Sequence, residues 1–308
     1  MIRYLSHEEI DKVAWDRCIE ESNDRIIYAL SWYLDRMTDG RWDALVMDDY
    51  RAVFPLPVRK KMGIRYVYTP FFIQRLGIFA SEDVSPAMAE NILFHLPADI
   101  RLVELQTSQF PMKEEPALRM IPLNNYELSL RDSYDEIRKR YSDNHQRNLN
   151  KALKHEFLIQ ETSHPEALIQ CFRAGKGKEI RHWKERDYQR FSALCSDGRN
   201  HAEVRIPVIN NKEGELIAGA VFFIDGGRAI MIFSAAAPQA KSSGAMVSVI
   251  DYFIREHAGQ DLILDFEGSE NPGLARFYAG FGSVSVPYQR IVIDRLPKAV
   301  KMLRRIRR

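Results

Sequence analysis

The sequence predicts a mixed α/β protein of two tandem domains, each with a mixed central sheet flanked by helices. Both halves of the 308-residue chain place several β-rich stretches before one helix and one further strand. Sliding one half along the other by roughly 160 residues overlays these helix-then-strand pairs, a spacing that is typical of a duplicated domain. The hydrophobic content of 45% is enough for the cores of two domains.

The first predicted domain covers residues 1–123. ALVMDDYRAVFPLPV, residues 44–58, reads as a strand, a turn and a second strand, and IRYVYTPFFI, residues 64–73, reads as another extended stretch. Apolar residues at helical spacing predict a helix over Ser85–Leu96. Arg101–Gln106 then reads as the strand that follows this helix.

The second predicted domain covers residues 124–297 and opens with a strand at Asn124–Ser129. Residues 203–237 read as three strands that are joined at Asn-Asn-Lys-Glu-Gly and Asp-Gly-Gly, both good turn sequences. A helix is predicted over Gly244–His257, and a strand over Leu262–Glu267. The order of elements therefore matches that of the first half.

A basic helical segment begins the second domain. Ser133 and Glu136 have the spacing of a capping box, which satisfies the free amides at a helix start. A continuous helix would place four cations on one face, because residues seven, four and three apart share a face: Arg140, Arg147, Lys151 and Lys154. Alternatively, Ser142-Asp143-Asn144 caps a second helix.

Composition excludes several classes of function. The net charge of +2, from 44 basic and 42 acidic residues, predicts that nucleic acid can be bound only through local patches. The three cysteines are far apart and form no CxxC pair, and the eight histidines lack metal-ligand spacing. We therefore expect no disulfide framework and no metal site.

We expect a cytoplasmic protein, because no apolar run reaches the length of a signal peptide core or a membrane span. Residues 298–308, KAVKMLRRIRR, form a basic tail in which Val300, Leu303 and Ile306 recur about once per helical turn. This pattern suits a helix on the anionic inner face of a membrane. The alternative, to which the sequence gives equal weight, is a solvated basic tail without a binding partner.

A loop for phosphate is predicted where a strand meets a helix in FSAAAPQAKSSGAMVSVIDYFI, residues 233–254. Amides at a helix start bind phosphate, and small residues let a diphosphate approach the backbone. The candidates are Gln239, Lys241, Ser242, Ser243 and Gly244, with Ser234, Ala235 and Ala236 at the strand end and Asn271 at the next helix. An ordinary loop with a serine cap explains the same residues.

Three further side chains are candidates for acid–base chemistry. Within one strand, Asp265 and Glu267 would share a face, and their repulsion would raise one pKa towards that of a general base. Tyr278 would lie on the face of Ala275 in the following helix, and a phenol can protonate a departing thiolate. A solvated edge strand and a core aromatic are the alternatives.

The stretch NPGLARFYAGFG, residues 271–282, resembles the last motif of the GNAT superfamily of acyl-CoA-dependent N-acyltransferases. Lys241-x-x-Gly244 keeps part of the superfamily's diphosphate motif, although Met246 stands where a small residue is expected. The resemblance implies an acyl-CoA donor and assigns protonation of the leaving thiolate to Tyr278. It leaves open whether Asp265 or Glu267 is the base.

Two such domains with the basic helix HQRNLNKALKH, residues 145–155, resemble the Fem family of peptidoglycan aminoacyltransferases. Arg147-Asn148-x-x-Lys151-Ala152 matches the basic segment that those proteins carry here, although the long helical hairpin of some members is absent. This resemblance implies an aminoacyl-tRNA donor that contacts Arg147 and Lys151. It also implies an acceptor site in the first domain, for which the candidates are Tyr68, Phe72 and Gln74. Judged only by the apolar area that they could bury, the aromatic residues Tyr68 and Phe72 belong to a hydrophobic core.

Three hypotheses follow from the sequence. The first is an N-acyltransferase that moves an acyl group from acyl-CoA, with acetyl-CoA as the first choice, to an amine. The second is an aminoacyl-tRNA-dependent, Fem-like transferase that acts on a cell-wall or lipid precursor. The third is a degenerate, non-catalytic pair of GNAT-like domains that serves as a membrane-attached binding module.

Overall fold

A computed structural model describes residues 1–108, 118–180, 183–268, 270–298 and 300–302. The chain divides into two compact units, which are treated separately below. Unit 1 contains Met1–Leu123 and Pro287–Arg308, and unit 2 contains Asn124–Val286.

The strands and helices of unit 1 alternate along the chain. They are β1 (Ile2–Leu5), α1 (Lys12–Glu20), α2 (Ser31–Thr38), β2 (Trp42–Met47), β3 (Ala52–Lys61), β4 (Ile64–Tyr68), β5 (Phe79–Ala80), α3 (Pro86–Phe94) and β6 (Ile100–Thr107). Short 3-10 helices span His7–Glu9 and Ile27–Ala29. Strand β7 (Leu118–Ser129) contains the boundary between the units.

The sheet of unit 1 is mixed. Its order is β1-β2-β3-β4-β6, followed by the last strand of the chain, β14 (Val284–Asp294). Strands β4 and β6 are parallel, because the chain crosses from one to the other through α3, whereas the other pairs along this path are antiparallel. All six residues of β2 are buried, as expected for an inner strand that is covered on both faces.

Unit 2 carries most of the helices. Its elements are α4 (Tyr134–Lys139), α5 (Asp143–Lys154), β8 (Ile159–Glu161), α6 (Glu166–Ala174), α7 (Glu185–Gly198), β9 (Glu203–Arg205), β10 (Pro207–Asn210), β11 (Leu216–Asp225), β12 (Arg228–Ala236), α8 (Ala240–Ser243), α9 (Ala245–His257), β13 (Ile263–Asp265) and α10 (Pro272–Ala279). A 3-10 helix spans Lys176–Glu179.

The sheet of unit 2 is also mixed, in the order β7-β13-β12-β11-β10-β8, with β9 beside β11. Strands β12 and β13 are parallel and are joined through α9, while the other pairs are antiparallel. Residues of α5, α9, α10 and the sheet share one hydrophobic core. Each unit therefore contains one parallel strand pair with a helical crossover.

The mixed α/β class is confirmed. Of the two alternatives for the basic segment, the one with two helices is present, because the Ser142 side chain caps α5 by accepting from the His145 amide. Two local predictions need correction. The predicted strand over Leu262–Glu267 ends at Asp265. Residues 203–237 hold four strands rather than three, since β9 and β10 are separated at Ile206.

The predicted capping box at Ser133 and Glu136 is present at the start of α4. The described part of the C-terminal tail is helical, and Lys301 forms an ion pair with Asp294, but Leu303, Ile306 and the last arginines lie outside the described residues. No helix in the described part of the chain is long and apolar enough to cross a membrane.

The two predicted domains remain a prediction, although the contacts divide the chain between Leu123 and Asn124. Residues 287–297, which the sequence assigns to the second domain, lie in unit 1. The reason is that Gln289–Asp294 of β14 pair with Leu102–Thr107 of β6.

Candidate active site

Strands β12 and β13 separate in the middle of unit 2. They pair over three residues only, from Arg228 opposite Ile263 to Ile230 opposite Asp265. Strand β12 then continues to Ala236, whereas the chain after β13 follows β7, with the Phe266 amide donating to the Tyr126 carbonyl at 3.0 Å. Beyond Ile230 and Asp265 the two strands therefore no longer pair.

Tyr278 lies beside this separation and is 8% exposed. Its ring stacks on Phe266, with centroids 5.0 Å apart and planes at 19°, and it lies 6.4 Å from the ring of Tyr126. Burial raises the pKa of the Tyr278 phenol well above its ordinary value, and the negative charge of Glu267 raises it further. The phenol therefore stays protonated at neutral pH, as a proton donor must.

Asp265 is held in a buried polar network. It is 1% exposed, and its Oδ2 accepts from the Arg228 guanidinium at 2.7 Å. Its Oδ1 accepts from the Asn125 side-chain amide at 2.9 Å and from the Glu267 backbone amide at 2.9 Å. Arg228 also donates to Glu127 at 2.8 Å. A carboxylate with both oxygens engaged is well placed to stabilise the strands.

The prediction that Asp265 and Glu267 share a strand face is wrong. The strand ends at Asp265, and Glu267 has a left-handed backbone with φ of 59°, which a non-glycine residue rarely adopts. The Asp265 carboxylate accepts from the Glu267 amide and thereby supports this conformation. The negative charge of Glu267 raises the pKa of the Tyr278 phenol. Of the two carboxylates, Glu267 is therefore the one that interacts with Tyr278.

The predicted phosphate loop is half covered. Gln239, Lys241 and Ser242 are exposed, but Ser243 and Gly244 are buried. Gly244 has a φ of 76° and separates α8 from α9. A Cβ at this position would lie 2.1 Å from the backbone carbonyl oxygen of Asn148, so α5 packs directly on Gly244. A phosphate that approached Gly244 on this side would meet a carbonyl oxygen, which repels it.

Gly244→Ala should therefore destabilise the protein by about 2–4 kcal/mol, from backbone strain and overpacking together. Gly214→Ala is the matched control, because Gly214 has a similar φ of 83° but a Cβ there would meet nothing within 4 Å. The control should lose about 1–2 kcal/mol from backbone strain alone. Urea unfolding measures both, and equal losses would contradict the close contact with Asn148.

The exposed face of α5 carries three of the four predicted cations. Arg147, Lys151 and Lys154 are exposed and form no ion pair with any residue that the structure describes. Arg140 is not on this face, because it follows α4 and forms an ion pair with Asp132 at 2.7 Å. The exposed face is therefore a row of three positive charges on the helix whose Asn148 packs on Gly244.

Buried polar residues fix α5 against the rest of the site. The ring of His145 lies 4.3 Å from that of Phe281 and 5.1 Å from that of Phe277 in α10, which also carries Tyr278. Burial lowers the pKa of His145 to about 4, so its ring is neutral at physiological pH. Just before α5, the Tyr141 hydroxyl donates to the buried Asp251 of α9 at 2.9 Å, and Tyr134 donates to the same carboxylate.

The other donor-site candidates lie at the ends of their elements. Ser234 is half-buried, Ala235 is buried and Ala236 is exposed, all three in the last part of β12. The side chain of Asn271 caps α10 by accepting from the amides of Gly273 and Leu274. Donor contact by these four residues stays a prediction.

The three acceptor-site candidates belong to unit 1. Tyr68 ends β4, and the Arg59 guanidinium lies 4.0 Å from its ring centroid. Phe72 has a left-handed backbone, and its carbonyl accepts from the Tyr33 hydroxyl. Gln74 is 7% exposed and accepts from Arg75 at 3.0 Å. Acceptor binding by these residues also stays a prediction.

Sequence reasoning missed the partners of Asp265 and the role of Asn148. Arg228 offers a signal, because an arginine at the start of the apolar strand RAIMIFSAAA calls for a buried anion. Asn148 offers none, because its contribution is a backbone carbonyl. Within the described residues, no group of three or more His, Cys, Asp or Glu side chains could hold a metal ion.

Comparison with solved structures identifies the fold. FemX aligns with a TM-score of 0.64 and 12% identity, over 93% of this chain and 96% of that chain. The fold is therefore similar to that of FemX. L-PGS from Bacillus licheniformis aligns with a TM-score of 0.53 and 14% identity, over 95% of each chain.

The C-terminal domain of a protein from Agrobacterium fabrum that is named as a lysylphosphatidylglycerol synthetase aligns with a TM-score of 0.52 and 15% identity, over 90% of this chain and 92% of that chain. No family model matches the sequence, and no curated protein matches it. At these identities the likeness concerns the fold.

Proposed function

We propose that this chain is an acyltransferase whose donor is an aminoacyl-tRNA. The observation that carries the proposal is the packing of α5 on Gly244, which covers half of the predicted diphosphate loop, while Arg147, Lys151 and Lys154 on the same helix are exposed and unpaired among the described residues. Such a row of cations suits the phosphates of a nucleic acid better than a single small ligand. The Fem-like fold is consistent with this donor.

The pKa of Tyr278 also favours an oxygen ester as the donor. A thiolate is a weaker base than a phenolate whose pKa has been raised by burial, so transfer of the phenolic proton to it is unfavourable. The alkoxide that leaves from a ribose ester is a much stronger base. A protonated Tyr278 can therefore assist the loss of ribose better than the loss of CoA.

The reaction that we propose uses two side chains. The acceptor amine attacks the aminoacyl carbonyl, a C–N bond forms, and the C–O bond to the ribose breaks. Glu267 takes the proton that the amine loses, and Tyr278 gives its proton to the leaving ribose oxygen. An acceptor hydroxyl would react in the same way, with a C–O bond formed in place of the C–N bond, and one structural neighbour is named for lysylphosphatidylglycerol, an aminoacyl ester of a lipid. We therefore propose a cell-wall or lipid precursor as the acceptor class.

Replacing Arg147, Lys151 and Lys154 by glutamine should weaken tRNA binding and flatten its dependence on salt. Each lost phosphate contact lowers the slope of log K against log salt by about 0.7–0.9, so the triple variant should lose about 2–3 from the slope. Gel-shift titration over a salt series measures it. Arg131→Gln is the control, because Arg131 is already paired with Asp261. A slope unchanged in the triple variant contradicts tRNA binding by α5.

Acyl-CoA remains the second candidate donor, because Gln239, Lys241 and Ser242 are exposed at the loop after β12. A thermal-shift panel of CoA thioesters separates the two donors, since a ligand that binds only the native state raises Tm by an amount that grows with the logarithm of its excess over Kd. A shift with one thioester, and none with aminoacyl-tRNA, would transfer the proposal to acyl-CoA. Binding of either donor without turnover would support the non-catalytic binding module.

A further inference from the structure

The hairpin of β3 and β4 in unit 1 has an unusual residue at its tip. Lys61 and Ile64 are directly opposite, so Met62 and Gly63 form a two-residue turn in which both have left-handed backbones, with φ of 49° and 78°. Such turns strongly prefer Asn-Gly, because asparagine tolerates this conformation. Here a methionine occupies the position and is 89% exposed. The apolar side chain of Met62 therefore stands at the apex although its left-handed backbone is unfavourable for methionine.

Three cations flank this apex. Arg59, Lys60 and Lys61 form no ion pair with any residue in the part of the chain that the structure describes. Arg65 on the opposite strand differs, because it is paired with Asp43 and Asp99, each at 2.7 Å. The tip therefore has an uncompensated positive charge.

One face of the hairpin combines two of these three charges with amphipathic side chains. Arg59 lies opposite Tyr66 and Lys61 lies opposite Ile64, so all four share a face with Tyr68. Ile64, Tyr66 and Tyr68 are half-buried rather than buried. Tyrosine rings beside lysine and arginine stems are typical of the water–lipid boundary, where the apolar parts enter and the polar ends stay hydrated.

We propose that the tip of the β3–β4 hairpin docks on an anionic lipid bilayer. Met62 enters the headgroup region while Arg59, Lys60 and Lys61 contact anionic lipids. Single-stranded RNA is the less favoured occupant, because Arg59 covers the ring of Tyr68 and an apical methionine offers no stacking surface. Docking of this tip on a bilayer requires neither a particular acyl donor nor catalysis.

Sedimentation of the full chain with vesicles tests the proposal. Vesicles with roughly one quarter phosphatidylglycerol in phosphatidylcholine should bind the chain, and pure phosphatidylcholine vesicles should bind it much less. Met62→Asn should weaken binding about ten-fold while the turn becomes at least as stable, since Asn-Gly suits it. Lys60→Ser combined with Lys61→Ser should weaken binding about 30-fold, at about 1 kcal/mol for each charge.

The C-terminal tail needs its own control. A chain that ends at Pro297 should still bind anionic vesicles, and Met62→Asn should weaken this binding by the same factor. Three results would overturn the proposal. One is that the full chain does not bind anionic vesicles at low salt, and another is that the Met62→Asn and original chains bind them equally. The third such result is complete loss of vesicle binding when the tail is removed. RNA binding that depends on Met62, with no vesicle binding, would overturn it too.

Discussion

Tyr278→Phe should lower the rate of acyl transfer by about 100-fold or more while donor affinity stays nearly unchanged. A proton donor positioned for the transition state contributes about 10²–10⁴-fold, and phenylalanine keeps the stacking on Phe266 but cannot protonate the leaving group. Single-turnover kinetics with aminoacyl-tRNA measures the chemical step apart from binding. A loss of rate in Tyr278→Phe would therefore show that the phenolic proton takes part in the reaction, because the packing of the ring is unchanged in this variant.

Tyr134→Phe is the matched control for this measurement. Tyr134 lies in the same unit and donates to Asp251, so its loss should cost about 1 kcal/mol of stability and leave the rate of transfer unchanged. If Tyr278→Phe also leaves the rate unchanged, Tyr278 is a core aromatic only. A drop in both variants would indicate loss of folded protein, which the thermal midpoint reports separately.

Asp265→Ala should lower the free energy of unfolding by about 3–5 kcal/mol, the usual cost of removing one partner from a buried ion pair. The Arg228 guanidinium would lose the closer of its two carboxylates, and Asn125 would lose its acceptor on Asp265. Asp265→Asn should cost less, because its amide oxygen can still accept. The midpoint and slope of urea unfolding measure both variants.

Asp261→Ala provides the comparison on the surface of the same unit. Asp261 forms an ion pair with Arg131 at 2.6 Å, but both side chains are largely exposed. Exposed pairs contribute about 0–1 kcal/mol, so this variant should be nearly as stable as the original chain. Similar losses for Asp265→Ala and Asp261→Ala would show that the buried network around Arg228 does not hold β7, β12 and β13 together.

The features that were predicted correctly from the sequence depend on residues that are close together in the chain. The turn at 48–51, the capping box at Ser133 and the cap at Asn271 are set by neighbouring residues, and each was predictable. The order of strand, helix and strand from β12 through α9 to β13 was also predictable, because each element has its own apolar pattern.

Features that depend on distant partners were not predictable. Asn148 covers Gly244 through a backbone carbonyl, which no residue type encodes, and the two positions are far apart in sequence. Asp265 and Glu267 were predicted to share a face because side chains alternate along a strand, but the strand ends at Asp265. The left-handed backbone at Glu267 and the acceptor that supports it arise only when β13 lies between β7 and β12.

The position of β14 in the chain affects how the protein is made. Strand β6 emerges from the ribosome long before the residues of β14 that pair with it, from Gln289 to Asp294. Until then, the edge of β6 is open to strands of other chains, and closing so long a loop is slow. Completion of unit 1 must therefore follow synthesis of unit 2, and the nascent chain is exposed to aggregation during that interval.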